Sequence, residues 1–249
     1  EVDNYPGYPN GVDGTKMMED FKAQAERFDT DTRWGMVTKI DLSERPFRVE
    51  IDEKTNVIAD TVIIATGASA KWLGIEDEKR LNGYGVSACA TCDGFFYKGM
   101  DVVVVGAGDT AAEEATYLAK LCNKVTMLVR KSEMRASKAM QKRVFNTSNL
   151  EVMFNHETKS INGEPGEIGV EGVTAVNNLT GAETIIPAKG FFVAIGHTPN
   201  TSLFKGQLDM DDNGYLIIEA GTSKTKIDGV FAAGDVADHV YRQAVTSAG

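Results

Sequence analysis

Residues 102–115 read VVVVGAGDTAAEEA: four consecutive valines, glycine at 106 and 108, then alanines and glutamates. A short, unbroken apolar run marks a strand buried on both faces, as in a parallel sheet. The Ala-, Glu- and Leu-rich stretch after it, continuing through YLAKL, favours a helix. Gly106 lets the chain turn tightly at the strand's end, and Gly108 leaves bare backbone for a pyrophosphate to approach. Ala111, at the third position of the G-x-G-x-x-A pattern, keeps the helix close to the sheet. A helix beginning at Asp109 and Thr110 presents free N–H groups and the positive end of its dipole to phosphates. A plain strand–helix turn could share this spacing, but the strand before and the helix after favour a nucleotide. NKVTMLVRK (123–131) is the next strand, so strand, helix and strand follow within roughly thirty residues, as a βαβ unit requires.

The end of that second strand selects the dinucleotide. An acid there would hold the 2′-hydroxyl of NAD, whereas arginine suits the 2′-phosphate of NADP. Between Lys124 and Arg143 stand seven basic residues and one acid, Glu133, in a chain whose net charge is −10. Arg130, Lys131 and Arg135 are the candidates for a 2′-phosphate. Lys138, Lys142 and Arg143 read equally as a solvated helix face.

Outward from this unit, SKAMQKRVFN (137–146) reads as a helix. LEVMFN, VEGVTAV, AETIIPA and GFFVAIG read as short strands up to residue 196. On the N-terminal side, residues 15–28 have helical apolar spacing. GMVTKIDL, PFRVEI and VIADTVIIATG alternate as strands, with Val62–Ala65 expected to be a buried one. ADTVIIATG (59–67) echoes AKGFFVAIG (188–196), and the two lie 129 residues apart. The second copy has a glycine-rich βαβ unit upstream. A duplication would place the partner of that unit before residue 1, so the chain is expected to lack the first βαβ of one nucleotide domain.

Composition narrows the classes. The acidic balance argues against nucleic acid. No apolar run reaches the roughly 18 residues that a membrane span needs, and the first residues lack a signal peptide's basic head and apolar core. Three cysteines are too few for a secreted disulfide framework and point to a reducing cytoplasm.

Two of those cysteines, Cys89 and Cys92, lie in SACATCDG (87–94). Zinc would draw its other ligands from Cys122, His156, His197 and His239, which have no pairing at metal-site spacing, so no metal is expected. The pair precedes the valine strand rather than opening a helix after a strand, as thioredoxin-type sites do. What remains is a dithiol/disulfide couple beside a pyridine-nucleotide site. Hydride does not pass efficiently from a nicotinamide to a disulfide, so a flavin relay is expected. The C-terminal GVFAAGDVADHVYRQAVTSAG supplies parts of a flavin site: a strand ending on Gly234 and Asp235, and a helix start at Arg242, Gln243 and Ala244.

These motifs, in their order along nearly the whole chain, resemble the low-molecular-weight thioredoxin reductases of bacteria, plants and fungi. EVDNYPG, ATGASAKWLGI, GVSACATCDGFFYKG, GAGDTAAEEA, VRKSEMRAS, FFVAIGHTPNT and the C-terminal stretch carry the resemblance. It implies an α/β fold of two Rossmann-like, three-layer nucleotide-binding domains, the NADPH domain inserted into an incomplete FAD domain. The segments would be 1–70 (FAD, first part), 71–205 (NADPH domain with the redox pair) and 206–249 (FAD, second part). Electrons would pass from NADPH to FAD, to the Cys89–Cys92 disulfide and on to thioredoxin. Cys89 would attack thioredoxin, Cys92 would lie nearer the flavin, and Asp93 would be the acid/base. Besides the residues already named, Asn4, Thr66, Gly67, Gly196 and His197 would contact cofactor. A cytoplasmic homodimer is implied. Where this family usually carries two arginines for the 2′-phosphate, the chain has Arg130 and Lys131, and lysine offers a point charge rather than a fork. Two other readings stand beside this one. A reductase of a peroxiredoxin system would prefer NADH, against Arg130, Lys131 and Arg135; a truncated module would bind nucleotide without flavin or activity.

Overall fold

A computed structural model describes residue 2 and residues 4–249; Glu1 and Asp3, both in the EVDNYPG motif, lie outside the described residues. In chain order, α1 (Gly14–Glu26) leads into β1 (Val37–Asp41), β2 (Phe47–Ile51) and β3 (Thr55–Ala59). Next come β4 (Val62–Ile64), β5 (Ala68–Ala70), α2 (Glu76–Arg80), β6 (Val86–Ser87) and α3 (Ala90–Asp93). β7 (Asp101–Val105), α4 (Asp109–Leu118), β8 (Lys124–Val129), α5 (Lys138–Asn146) and β9 (Leu150–Phe154) alternate. β10 (His156–Glu164), β11 (Gly169–Asn177) and β12 (Glu183–Pro187) precede β13 (Gly190–Val193), β14 (His197–Pro199), β15 (Val230–Ala232) and α6 (Ala244–Ala248). The chain divides into two compact units, one running to Ser69 and resuming over His197–Gly249, the other Ala70–Gly196.

The Ala70–Gly196 unit is built on a five-stranded sheet ordered β6-β13-β7-β8-β9, its neighbours β6, β13, β7, β8 and β9 all parallel. Side chains alternate across a strand, so the valine run serves both faces at once. Val102 and Val104 join a core with Ala111, Ala115 and Leu118 of α4 and Val144 of α5. Val103 and Val105 join the opposite core, with Phe191, Ile161, Val170 and Val173, under the antiparallel meander β10-β11-β12. Val102, Val103 and Val104 are at most 1% exposed, and burying each contributes about 1.5–3 kcal/mol. The result is three layers, helices, parallel sheet and meander.

The other unit holds α1, the antiparallel sheet β1-β2-β3 and the parallel pair β15-β4. Its core gathers Ile40, Leu42, Phe47, Ile64, Phe204, Leu216 and Val230. Asp13 caps α1 by accepting the Thr15 and Lys16 N–H groups at 2.9 and 3.1 Å. The internal echo is visible in both units: β4 follows the first meander and β13 the second, each parallel strand leading to a glycine of positive φ, Gly67 at 67° and Gly196 at 100°.

One expectation changes, and one strand is not among those expected. Val62–Ala65 is not buried throughout, because Ile63 is 70% exposed; among the described residues β4 pairs with β15 alone. The nine residues of β10, HETKSINGE, form a strand that hydrophobicity does not announce. Only Ile161 is fully buried there, and the strand is held by its pairing with β11.

Candidate redox and dinucleotide sites

The redox pair is formed by local structure. Cys89 and Cys92 are joined as a disulfide, with their Cα atoms 5.3 Å apart. Contrary to the sequence expectation, the pair does open a helix after a strand: β6 ends at Ser87, and Cys89 is the N-cap residue of α3. The strand has two residues and the helix four, too short to leave a periodic signature. Buried Ser87 fixes the turn, its hydroxyl accepting the Cys89 N–H at 3.0 Å. The Cys89 sulfur accepts the Cys92 N–H at 3.2 Å and lies 3.4 Å from the Thr91 hydroxyl. Such contacts stabilise a thiolate. Cys89 is half-buried while Cys92 is exposed. Asp93 is half-buried and follows directly; burial and the charge of Asp93 hold the Tyr97 phenol above its usual pKa. Cys122 is buried, and burial, reinforced by Asp101, pushes its thiol up to about 11. It is a core residue with no redox partner.

The glycine turn is a steric fit on one side and open on the other. A Cβ on Gly106, at φ 150°, would sit 2.4 Å from Ala194 O and 2.6 Å from Ala111 Cβ. On Gly108 the same atom would meet nothing within 4 Å. The first glycine thus serves packing, and the second leaves the helix start bare, the cradle a pyrophosphate requires. Thr110 lies in the first turn of α4, and the Asp109 carboxylate accepts the Ser137 N–H at 2.9 Å. That contact, with the Ser137 hydroxyl, keeps Asp109 below the usual carboxylate range. The basic loop returns to the same turn: Arg135 and Ala136 donate their N–H groups to Ala107 O at 2.8 and 2.9 Å. Arg130, Lys131 and Arg135 are all exposed. Gly196 closes the neighbouring strand's loop in the same unit, its carbonyl accepting the Lys71 N–H at 2.9 Å. These residues fit a dinucleotide with a 2′-phosphate.

The two sites share α4. Gly94, two residues past Cys92, packs so closely on the C-terminal end of α4 that a Cβ would lie 2.9 Å from Leu118 Cδ2. The glycine turn is at the other end of a helix of ten residues, about 15 Å long.

The residues expected at a flavin gather in the other unit, at the carboxyl ends of two adjacent parallel strands, where ligands bind open α/β sheets. Ala233 N–H donates to Ile64 O at 2.9 Å, which sets Gly234 and Asp235 beside the end of β4 and the following Thr66 and Gly67. Thr66 is tied to Asn200, its hydroxyl donating to Asn200 O at 2.8 Å and its carbonyl accepting Asn200 Nδ2 at 2.9 Å. Asp235 accepts the Ser247 hydroxyl at 3.1 Å. Asn4 Nδ2 donates to Gln243 Oε1 at 2.8 Å, so two residues 239 positions apart meet. Arg242, with φ 49°, donates to His197 Nδ1 at 3.0 Å and to His239 O at 2.8 Å. Ala244 begins α6. The structure therefore joins His197 to the Arg242 group. Gly234, at φ 74°, supplies a cradle in which a Cβ would come within 3.3 Å of Ser247. A carboxylate and exposed backbone beside it fit a ligand rich in hydroxyls.

Sequence reading missed Ser87 and the ties from Arg135 and Ala136 to Ala107. The latter are backbone bonds, which no residue type advertises. Among the described residues no group of three or more His, Cys, Asp or Glu is placed to hold a metal, and no helix is long and apolar enough to cross a membrane.

Comparison with known proteins agrees with this geometry. Residues 8–249 match the family described as pyridine nucleotide-disulphide oxidoreductase. A thioredoxin reductase of Rickettsia conorii is 47% identical over 249 residues, covering 100% of this chain and 80% of that protein. The solved thioredoxin reductase from Giardia duodenalis superposes with a TM-score of 0.92 at 42% identity, over 99% of this chain and 80% of the other. That from Streptococcus pyogenes gives 0.90 at 35% identity, over 99% and 79%.

Proposed function

Since the chain belongs to the thioredoxin reductases, within the pyridine nucleotide-disulphide oxidoreductase family, we propose that it passes electrons from NADPH through FAD to Cys89–Cys92 and on to the disulfide of thioredoxin. NADPH supplies hydride and FAD a two-electron relay when bound. In this chain, Gly106, Gly108, Asp109 and Thr110 would hold the pyrophosphate, and Arg130, Lys131 and Arg135 the 2′-phosphate, with Gly196 beside them. Asn4, Thr66, Gly67, Gly234, Asp235, Arg242, Gln243, Ala244 and His197 would hold the flavin.

The protein's own chemistry begins from the reduced pair. The Cys89 thiolate, stabilised by the Cys92 N–H, attacks one sulfur of the partner's disulfide; a new S–S bond forms and the partner's other sulfur leaves as a thiolate that takes a proton. Cys92, as thiolate, then attacks Cys89 Sγ. The intramolecular disulfide re-forms and the partner's second thiol is released. The pair loses two electrons and the partner gains them. Asp93, adjacent to Cys92, carries the proton to and from the sulfur. This order is the one the family resemblance implies. The resemblance also implies a homodimer working in the cytoplasm.

The observation that carries the reading is a bonded Cys89–Cys92 pair in the same unit as an open glycine turn. The test is NADPH oxidation by the flavin-loaded protein with and without oxidised thioredoxin. Turnover that requires thioredoxin is expected. Turnover indifferent to thioredoxin, or NADH accepted as readily as NADPH, would overturn it.

A further inference from the structure

We infer that Asn178, in the turn between β11 and β12, is a positioning residue for recognition of the 2′-phosphate. The inference rests on the proposed assignment of Arg130 and Lys131 to that phosphate. β8 ends at Val129, so Arg130 and Lys131 have no ladder to fix them. Two asparagines take that role. Asn178 Nδ2 donates to Arg130 O at 2.6 Å, and the Asn178 N–H donates to Asn155 O at 2.8 Å. Asn155, at φ 57° between β9 and β10, turns its own N–H to Lys131 O at 3.1 Å. The far end of the loop is fixed separately, by the Arg135 and Ala136 bonds to Ala107 O. The cationic loop is thus pinned at one end to the glycine turn and at the other to the asparagine pair.

Arg130's side chain does not fix itself. It is 75% exposed, and its ion pair with Glu157 is 3.9 Å long, a contact of little weight in solvent. What sets where its guanidinium can reach is the backbone, and Asn178 holds that backbone by its only side-chain amide. A hydrogen bond to a cationic residue's carbonyl has no bearing on the adenosine moiety itself. Losing it frees the Arg130 backbone while the Asn155 N–H still holds Lys131 O, and leaves the glycine turn undisturbed.

Calorimetric titration of the flavin-loaded protein with adenosine 2′,5′-bisphosphate and with 5′-AMP separates these effects. In Asn178→Ala the bisphosphate should weaken roughly threefold to tenfold, the worth of one hydrogen bond, while 5′-AMP stays within about twofold. Asn178→Leu, similar in volume and without a donor, must give the same split. Asn178 is exposed and loses one hydrogen bond, so melting temperatures should fall by no more than about 6 °C. Arg130→Ala is measured beside them. If Arg130→Ala weakens the bisphosphate selectively but the Asn178 variants weaken both ligands alike or neither, the inference fails and the phosphate assignment stands. If Arg130→Ala weakens both ligands alike, the assignment fails and the inference with it.

Discussion

Gly106 and Gly108 stand two residues apart and should fail in opposite ways. Alanine at Gly106 places a methyl 2.4 Å from a backbone oxygen and 2.6 Å from Ala111 Cβ, at φ 150°. The positive φ costs about 1–2 kcal/mol and overpacking against a rigid strand adds about 1–3 kcal/mol, together about 2–5 kcal/mol. Against a stability of about 5–15 kcal/mol this is a large fraction. At about 2–4 °C per kcal/mol for a chain of this size, the melting temperature should fall by roughly 4–20 °C. Alanine at Gly108 meets no atom within 4 Å and adopts φ −89° without strain. Its cost is that of a poorer N-cap, about 0.5–1 kcal/mol, so the fall should stay under about 4 °C. Its methyl, however, occupies the approach to the helix start, and NADPH affinity should fall by roughly tenfold or more. Scanning calorimetry without nucleotide and titration with NADPH read the two effects apart. Equal melting shifts for the two variants, or wild-type NADPH affinity in Gly108→Ala, would refute the division of labour.

Three further outcomes are expected. Cys92→Ser should accumulate a mixed disulfide between Cys89 and thioredoxin, seen as a mass adduct under non-reducing conditions, and Cys89→Ser should not; the opposite pattern would move the attacking role to Cys92. Cys122, its thiol pushed up to about 11, should resist iodoacetamide at about pH 8 in the folded protein and react only in denaturant; because this pKa is raised on folding, the associated stability is present below about 9 and lost as pH rises towards about 11. At Asp77, burial works to raise the pKa, but hydrogen bonds from Arg80 and the Ile161 N–H outweigh it and the net shift is downward. Asp77→Ala should cost about 1–3 kcal/mol at neutral pH. The stability lost is present above the ordinary carboxylate range and disappears as pH falls through the lowered pKa, so the gap between variant and wild type should close in acid; a gap constant with pH would count against the ion pair.

How much was legible in advance follows from burial and length. The valine strand, the glycine turn and α4 were readable because each residue type there has a steric or packing reason, including the small Ala111 against Gly106. β10 was not, because one buried isoleucine in a polar run carries no period and the strand exists through its partner β11. Ile63 looked buried by composition, yet burial depends on what covers the strand. The cysteine pair was recognised and its setting misjudged, since α3 is one turn long. His197 was expected only to contact cofactor, and its ring meets Arg242, 45 residues on. The ties that shape the basic loop run through backbone atoms and one exposed amide, Asn178, in a turn where asparagine is expected for other reasons.

The relay itself is tested most directly by counting thiols. The flavin-loaded protein would be treated anaerobically with NADPH, alkylated and weighed, with a second sample given excess oxidised thioredoxin before alkylation. Two labels, mapped to Cys89 and Cys92, are predicted with NADPH alone, and none at those positions once thioredoxin has been added. A pair that stays closed under NADPH, or labels that persist after oxidised thioredoxin, would contradict electron flow through Cys89 and Cys92.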